Sequence, residues 1–292
     1  MLYTIKNDKL IVEISNHGAE LMSVRDAQNG YEYIWQGDKR FWEDRSPTLF
    51  PICGQLFGGK YTHKGKEYSM SGHGFAKDMS FELKSSDEAS ITLEIRSNEY
   101  TKSFYPFEFE FSVTYKLSGN ELSVEANIAN TGDEILPATF GAHPGFNIPL
   151  SDDCKFEDFY FEFSEECYPN QLTILDDAMF AGTTETLMLK DNRILPLKRE
   201  LFKIDGIFMN RIADEITLKS DKNPRSVTVK YKGFPYLGIW QEYGEDTPFI
   251  CVEPWCGLPD YEGLSRDIMK KNDMFRISPN HTKSIYYSII FR

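Results

Sequence analysis

Little in this chain points to polyanions, membranes or a disulfide framework. Lys and Arg number 32 against 45 Asp and Glu, a formal net charge of −13. So acidic a balance disfavours nonspecific contact with phosphate backbones, and no nucleic-acid partner is expected. A sugar phosphate held by a local cluster of cations stays compatible with it. No run approaches the roughly 20 apolar residues of a membrane span, so no membrane partner is expected. The opening stretch, MLYTIKNDKLIVEIS, lacks the basic flank and apolar centre of a signal peptide. Cysteines are few and odd in number: Cys53, Cys154, Cys167, Cys251 and Cys256, with no CxxC pair. Neither disulfides nor a zinc site is suggested. The thiols read as small apolar residues, and a reducing cytoplasm is the expected compartment.

Motifs for phosphate, acyl or metal chemistry are missing too. GQLFGGK does not have the GxxxxGK[ST] spacing of a phosphate loop. There is no GxSxG elbow and no HExxH pair, so no cofactor and no metal are expected. Helical signals are confined to two short stretches, Lys39 to Glu43 and Leu264 to Lys271. No repeat, low-complexity tract or Gly/Ser/Pro-rich linker divides the 292 residues.

Strand signals fill the space. LIVEIS, ITLEIRS, FEFEFSVTYKL, LSVEANIAN, SVTVKYKG and SIYYSIIF alternate or are rich in β-branched and aromatic residues. FEFEF places three Phe on one face and two Glu on the other, as in a half-buried antiparallel strand. LSGNE marks a turn, so VTYKL-SGN-ELSVEANIAN reads as a hairpin. Residues 170–205 hold polar turns and read as long connections. The expected fold is one large all-β domain over residues 1–292, an antiparallel β-sandwich.

Three residues stand out chemically. His143, in TFGAHPGFNIP, precedes a proline that restricts it to extended geometry. Gly141 and Gly145 permit close approach or tight turning beside it. A rigid imidazole with an ordinary pKa of about 6.5 suits proton transfer. The same spacing also suits a histidine merely hydrogen-bonded in a turn. His73, in SGHGFAKDMSFEL, lies between glycines, with Lys77 and Asp78 in the turn before a strand signal. It could bind hydroxyls or a phosphate, or be a polar turn residue. Glu253, in TPFICVEPWCGLPD, ends an apolar run just before a proline. Apolar surroundings favour the neutral carboxyl and raise its pKa towards the range of a general base. An exposed edge-strand glutamate is the alternative.

Trp255 beside it offers a flat apolar face for a pyranose. Asp205 in LFKIDGIF is a hydroxyl-binding acid or a turn aspartate, and Trp240 in FPYLGIWQ reads as core before sugar platform. Gln55 and Arg211 are polar residues beside apolar runs.

At LFPICGQL, GHGFAKDMSFEL, GAHPGFNIPL and FICVEPWCGLPD the chain resembles the aldose 1-epimerase (galactose mutarotase-like) family, on its LacX-like branch. The segments occur in the family's order and approximate spacing. ISNHGAELMSV and LFKIDGIF extend the resemblance over most of the chain. It implies a large antiparallel β-supersandwich with an open sugar cleft. It implies that Glu253 is the general base, His143 the general acid, His73 a contact near the sugar ring oxygen and Asp205 a hydroxyl ligand. The family's cleft usually carries an arginine after its first glycine-containing motif, where GQLFGG here offers Gln55 at or near that place, and the Lys77 position often holds arginine. That departure bears on substrate contacts rather than on the acid and base.

The leading expectation is therefore an aldose 1-epimerase acting on a hexose or related sugar, as a monomer or homodimer. A hexose 6-phosphate would need cations at the cleft mouth, for which Lys77, Lys60 and Arg211 are candidates. A carbohydrate-binding protein without turnover is a different class. A glycoside hydrolase or lyase is another; hydrolysis needs a second carboxylate about 5–9 Å from Glu253, and Asp205 or Asp260 would have to supply it.

Overall fold

The computed structural model describes residues 1–175, 179–244, 246–261, 263 and 265–292. Alternation of apolar and polar residues dictates strands, and strands dominate. A nine-stranded sheet runs in the order Ile194–Pro196, Phe159–Phe163, Glu215–Ser220, Asn223–Lys230, Thr282–Phe291, Glu121–Asn130, Phe109–Ser118, Ser90–Arg96, Glu82–Ser86. An eight-stranded sheet runs Phe180–Thr186, Asn170–Ile174, Ile207–Asn210, Tyr236–Trp240, Phe249–Trp255, Gly141–Ala142, Thr48–Leu49, with Gly145–Asn147 also paired to Phe249–Trp255. Leu2–Lys6, Leu10–Ser15 and Leu21–Asp26 form a third sheet. Pairing between these strands is antiparallel throughout. The hairpin read from SGN is there, with Val124 opposite Tyr115.

Phe107, Phe109 and Phe111 are buried while Glu108 and Glu110 are not, as the period of two requires. The ring of Phe50, next to strand Thr48–Leu49, stacks on Phe111 of the nine-stranded sheet at 4.3 Å. Phe140 reaches across to Phe111 and Tyr287. Apolar faces from both sheets thus share one core.

Four readings of the sequence need correction. Residues 170–205 are not plain connections: Asn170–Ile174, Phe180–Thr186 and Ile194–Pro196 are strands. Phe180–Thr186 is exposed after its first residue, so apolar alternation has nothing to mark. Lys39 to Glu43 forms a turn rather than a helix, because Gly37 takes a positive φ of 70° and Trp42 is drawn towards His143. Of Leu264 to Lys271, Leu264 lies outside the described residues and only Ile268–Lys270 is helical, as a 3-10 turn. MSFEL yields a strand only from Glu82, after a 3-10 turn at Ala76–Asp78 and a bridge from Ser80 to His17. The α-helix Glu99–Lys102, capped by Asn98, is four residues long. No helix among the described residues is long and apolar enough to cross a membrane.

A buried ion pair fixes the chain beyond the strand Phe249–Trp255. Lys271 Nζ lies 2.6 Å from Asp260 Oδ1, with both side chains less than a tenth exposed. The ammonium also donates to the Leu258 carbonyl, and Asp260 Oδ2 accepts the Phe57 N–H. Removing one partner strands a buried charge. Lys271→Met is expected to lower unfolding free energy by about 3–5 kcal/mol, whereas Asp260→Leu combined with Lys271→Met recovers most of it. Urea unfolding of the three proteins checks this; an unchanged midpoint in the single variant would contradict it.

Candidate functional site

The strand Phe249–Trp255 organises the site. All seven residues are buried, and their faces alternate. Ile250 and Val252 join the main core, whereas Phe249, Cys251 and Trp255 belong to smaller clusters on the face that carries Glu253. Gly141 pairs with Trp255 and Gly145 with Cys251. That register places His143 directly opposite Glu253. Pro144 has no N–H to give the ladder, but its carbonyl still accepts from Val252 at 3.2 Å. His143 Nε2 ends 3.2 Å from Glu253 Oε2.

The glycines make this approach possible. A Cβ on Gly141 would stand 2.7 Å from Cys53 Sγ, and one on Gly145 2.9 Å from the Trp42 ring. On the other flank Glu253 faces Gly238, where a Cβ would meet the Phe208 ring at 2.6 Å.

His73 reaches the same place from a different segment. It adopts a positive φ of 64°, followed by Gly74 at 77°. Its N–H donates to the Gly54 carbonyl, and its Nδ1 accepts the Gly54 N–H at 3.1 Å. With Nδ1 accepting, the neutral ring carries its proton on Nε2. The His73 ring meets His143 edge-on at 5.6 Å and Trp255 at 5.5 Å. Trp42 lies nearly parallel to His143 at 5.0 Å, and Trp240 meets it edge-on at 5.7 Å.

These groups line a cavity of about 360 Å³. Glu253, His143, His73, Asp205, Lys77, Gln55 and Trp255 all border it. Trp240, read as core from the sequence, is half-buried and forms part of the wall. Lys60 does not border the cavity; it pairs with Glu67 at 2.7 Å on the hairpin Lys60–Ser69. Arg211, exposed and at a positive φ of 57°, lies away as well. Asp260 is held by Lys271 and is not in the wall. Trp42, Asp44, Phe208 and Glu242 are wall residues that the sequence reading missed. Trp42 and Asp44 come from KRFWEDRSP, whose density of aromatic and charged residues without periodicity was the one available signal.

Desolvation governs the electrostatics. Burial, reinforced by the Asp205 carboxylate, pushes the Glu253 carboxyl well above its usual range. Burial, with His73 close by, pushes His143 well below an ordinary imidazole. His73 is pushed down to about 4 by burial and by Lys77. Burial also raises Asp205, offset by its Gly206 N–H contact, and Asp44. Although His143 and Glu253 are within ion-pair distance, no hydrogen bond joins them. Both Glu253 oxygens and His143 Nδ1 are buried with no hydrogen-bond partner among the described residues. Such a constellation can move protons on and off an oxygen-rich guest. One donor atom each from His143, Cys251 and Glu253 lies within 4.8 Å of the others, a set that could also hold a cation.

Comparison with known proteins identifies the family and the fold. The profile of the family described as aldose 1-epimerase matches residues 1–262. The plasmid-borne LacX protein of Lactococcus lactis subsp. lactis is 31% identical over 99% of both chains. A galactose mutarotase related enzyme of Lactobacillus acidophilus superposes with a TM-score of 0.95 at 34% identity, covering 100% of this chain and 97% of that one. A galactose mutarotase-like protein of Lactobacillus casei gives 0.92 at 31% identity, with both chains fully covered (100% each). With this fold, this cleft and matches that run along most of its length, the chain belongs to the aldose 1-epimerase family.

Proposed function

We propose that the protein, acting as a single domain over residues 1–292, is a mutarotase that interconverts the α and β anomers of a free hexose or closely related sugar. The observation that carries this reading is the buried, unpartnered Glu253 facing His143 across 3.2 Å. Glu253 takes the proton of the C1 hydroxyl while His143 protonates the ring oxygen. The bond between C1 and the ring oxygen breaks, and the C1 aldehyde turns about the C1–C2 bond. Closure on the other face returns both protons. His73, neutral with its proton on Nε2, donates to a sugar oxygen, and Asp205 accepts from a hydroxyl. Trp42, Trp240 and Trp255 supply apolar walls against the C–H faces of the ring.

A single proton shared by the pair suits both roles. Burial favours the uncharged form, Glu253 protonated and His143 neutral; a sugar's hydroxyls solvate the ionic form from which reaction starts. The charge around the cleft favours a sugar without phosphate. Lys77 is the one cation among the described wall residues, and it already meets Asp78 at 3.1 Å. Asp44, Asp205, Glu242 and Glu253 add four carboxyl groups to the same cavity lining. Five free, buried cysteines are in keeping with a reducing, cytoplasmic setting.

Three outcomes are expected. Glu253→Gln and His143→Asn should each slow mutarotation by roughly 10²–10⁴-fold while leaving the unfolding midpoint within experimental reach of wild type. Polarimetry of freshly dissolved α-D-glucose and α-D-galactose measures this; either variant running at the wild-type rate removes that residue from the mechanism. The pH profile of kcat/KM should be a bell. His143 sheds its proton below an ordinary imidazole's range and Glu253 keeps its own above an ordinary carboxyl's, so the singly protonated pair spans the window between. A profile with one ionisation would contradict a shared proton. NMR exchange measurements should show free hexoses accelerated more than their 6-phosphates; acceleration of the phosphates alone would transfer the assignment to phosphosugars.

A further inference from the structure

Cys251 has no part in this acid–base exchange, yet it shares a strand face with Glu253 two residues on. It packs with Trp35 and Phe249. One donor atom from each of His143, Cys251 and Glu253 lies within 4.8 Å of the other two, and all three residues are buried. The 3.2 Å between His143 Nε2 and Glu253 Oε2 is close to the roughly 3.3 Å that separates two nitrogen or oxygen ligands on one tetrahedral zinc ion. A sugar explains the unpartnered oxygens of Glu253; it does not explain a thiol brought within 4.8 Å of the same pair. Thiolate, imidazole and carboxylate together suit borderline-soft ions such as zinc, cobalt and cadmium rather than magnesium or calcium. Their charges also balance: a divalent cation, one thiolate, one carboxylate and a neutral imidazole sum to zero, as a buried position demands.

We propose that His143, Cys251 and Glu253 form a binding site for a thiophilic divalent cation of the zinc class, and that the bound ion blocks the enzyme by occupying its acid–base pair. The inhibitory half rests on the mutarotase reading above; the binding half does not. Bonds form from the metal to sulfur, nitrogen and oxygen. The thiol proton, and any proton on Glu253, passes to solvent, since a coordinating thiol is deprotonated outright. The fourth tetrahedral position is left for a water from the cavity.

The test is a titration of Co²⁺ into the chelator-treated protein, followed by absorption. An intense near-ultraviolet thiolate-to-cobalt band saturating at one ion per chain is expected, and it should be missing from Cys251→Ser and Cys251→Ala. Zn²⁺ should inhibit mutarotation, a chelator should restore it, and inhibition should weaken at least tenfold in both variants, each compared with its own metal-free rate. Two different replacements guard against one that fails to fold. A wild-type protein without the thiolate band overturns the site, as does a band or an inhibition constant unchanged in both variants. A normal cobalt band on a protein that accelerates no sugar upholds the site and sinks the mutarotase reading instead.

Discussion

Glu253 and His143 face one another because the strand is held in register on both sides of them, Gly141 against Trp255 and Gly145 against Cys251. A slip of one residue would turn every side chain of Phe249–Trp255 to the opposite face. Ile250 and Val252 would enter the cleft, and Glu253 would enter the main core. The apolar alternation of that strand therefore does two things. It buries one face in the core, and it fixes where a carboxylate meets an imidazole. The wider sandwich serves this pairing, because only a strand covered on both faces can hold a carboxyl group at 1% exposure.

That burial sets the chemistry. A solvated glutamate and histidine would sit near their ordinary proton affinities, with the carboxylate too weak a base. Taking both out of water raises one and lowers the other, and neither is neutralised by a strong ionic partner. The carboxyl of Asp205 pushes Glu253 further in the same direction. Lys77 stays at the rim with Asp78, so it pushes His73 down without discharging the central pair.

Much of this was legible in the residues. HPG in GAHPGF and EPW in FICVEPW signal constrained geometry beside apolar runs; EPW ends the strand Phe249–Trp255, and His143 and Pro144 link the short strands Gly141–Ala142 and Gly145–Asn147 that pair with it. GHG marks a backbone free to take a positive φ, and His73 and Gly74 both have one. Much of the nine-stranded sheet was readable too, since Ser90–Arg96, Phe109–Ser118, Glu121–Asn130, Asn223–Lys230 and Thr282–Phe291 fall in stretches rich in alternating, β-branched or aromatic residues, whereas its edge strands Ile194–Pro196 and the fully exposed Glu82–Ser86 were not. Cleft strands were less so. Phe180–Thr186 shows only Phe180 to the interior, and the other six residues face solvent, so no period survives. Trp42 and Trp240 escaped for a related reason: a tryptophan that walls a cleft and one that fills a core look alike in sequence. Lys60 and Arg211 seemed able to reach the cleft mouth because nothing in a linear chain reveals that a hairpin carries Lys60 away to Glu67.

Beneath the cleft the strand ladder leaves no room for further side chains. At Gly141, Gly145 and Gly238 the neighbouring rings and sulfur approach to where a methyl group would be, at 2.7, 2.9 and 2.6 Å. The rings of Trp42, Phe208 and Trp255 that face the cavity are backed by this main chain, locked by its ladder. Such a floor keeps its shape through the fast rotamer motions that blur most binding surfaces. It also divides the wall into two parts. A side chain at Gly141, Gly145 or Gly238 must displace a ring or a sulfur, whereas Asp44, Gln55, Lys77 and Glu242 line the cavity with side chains of their own.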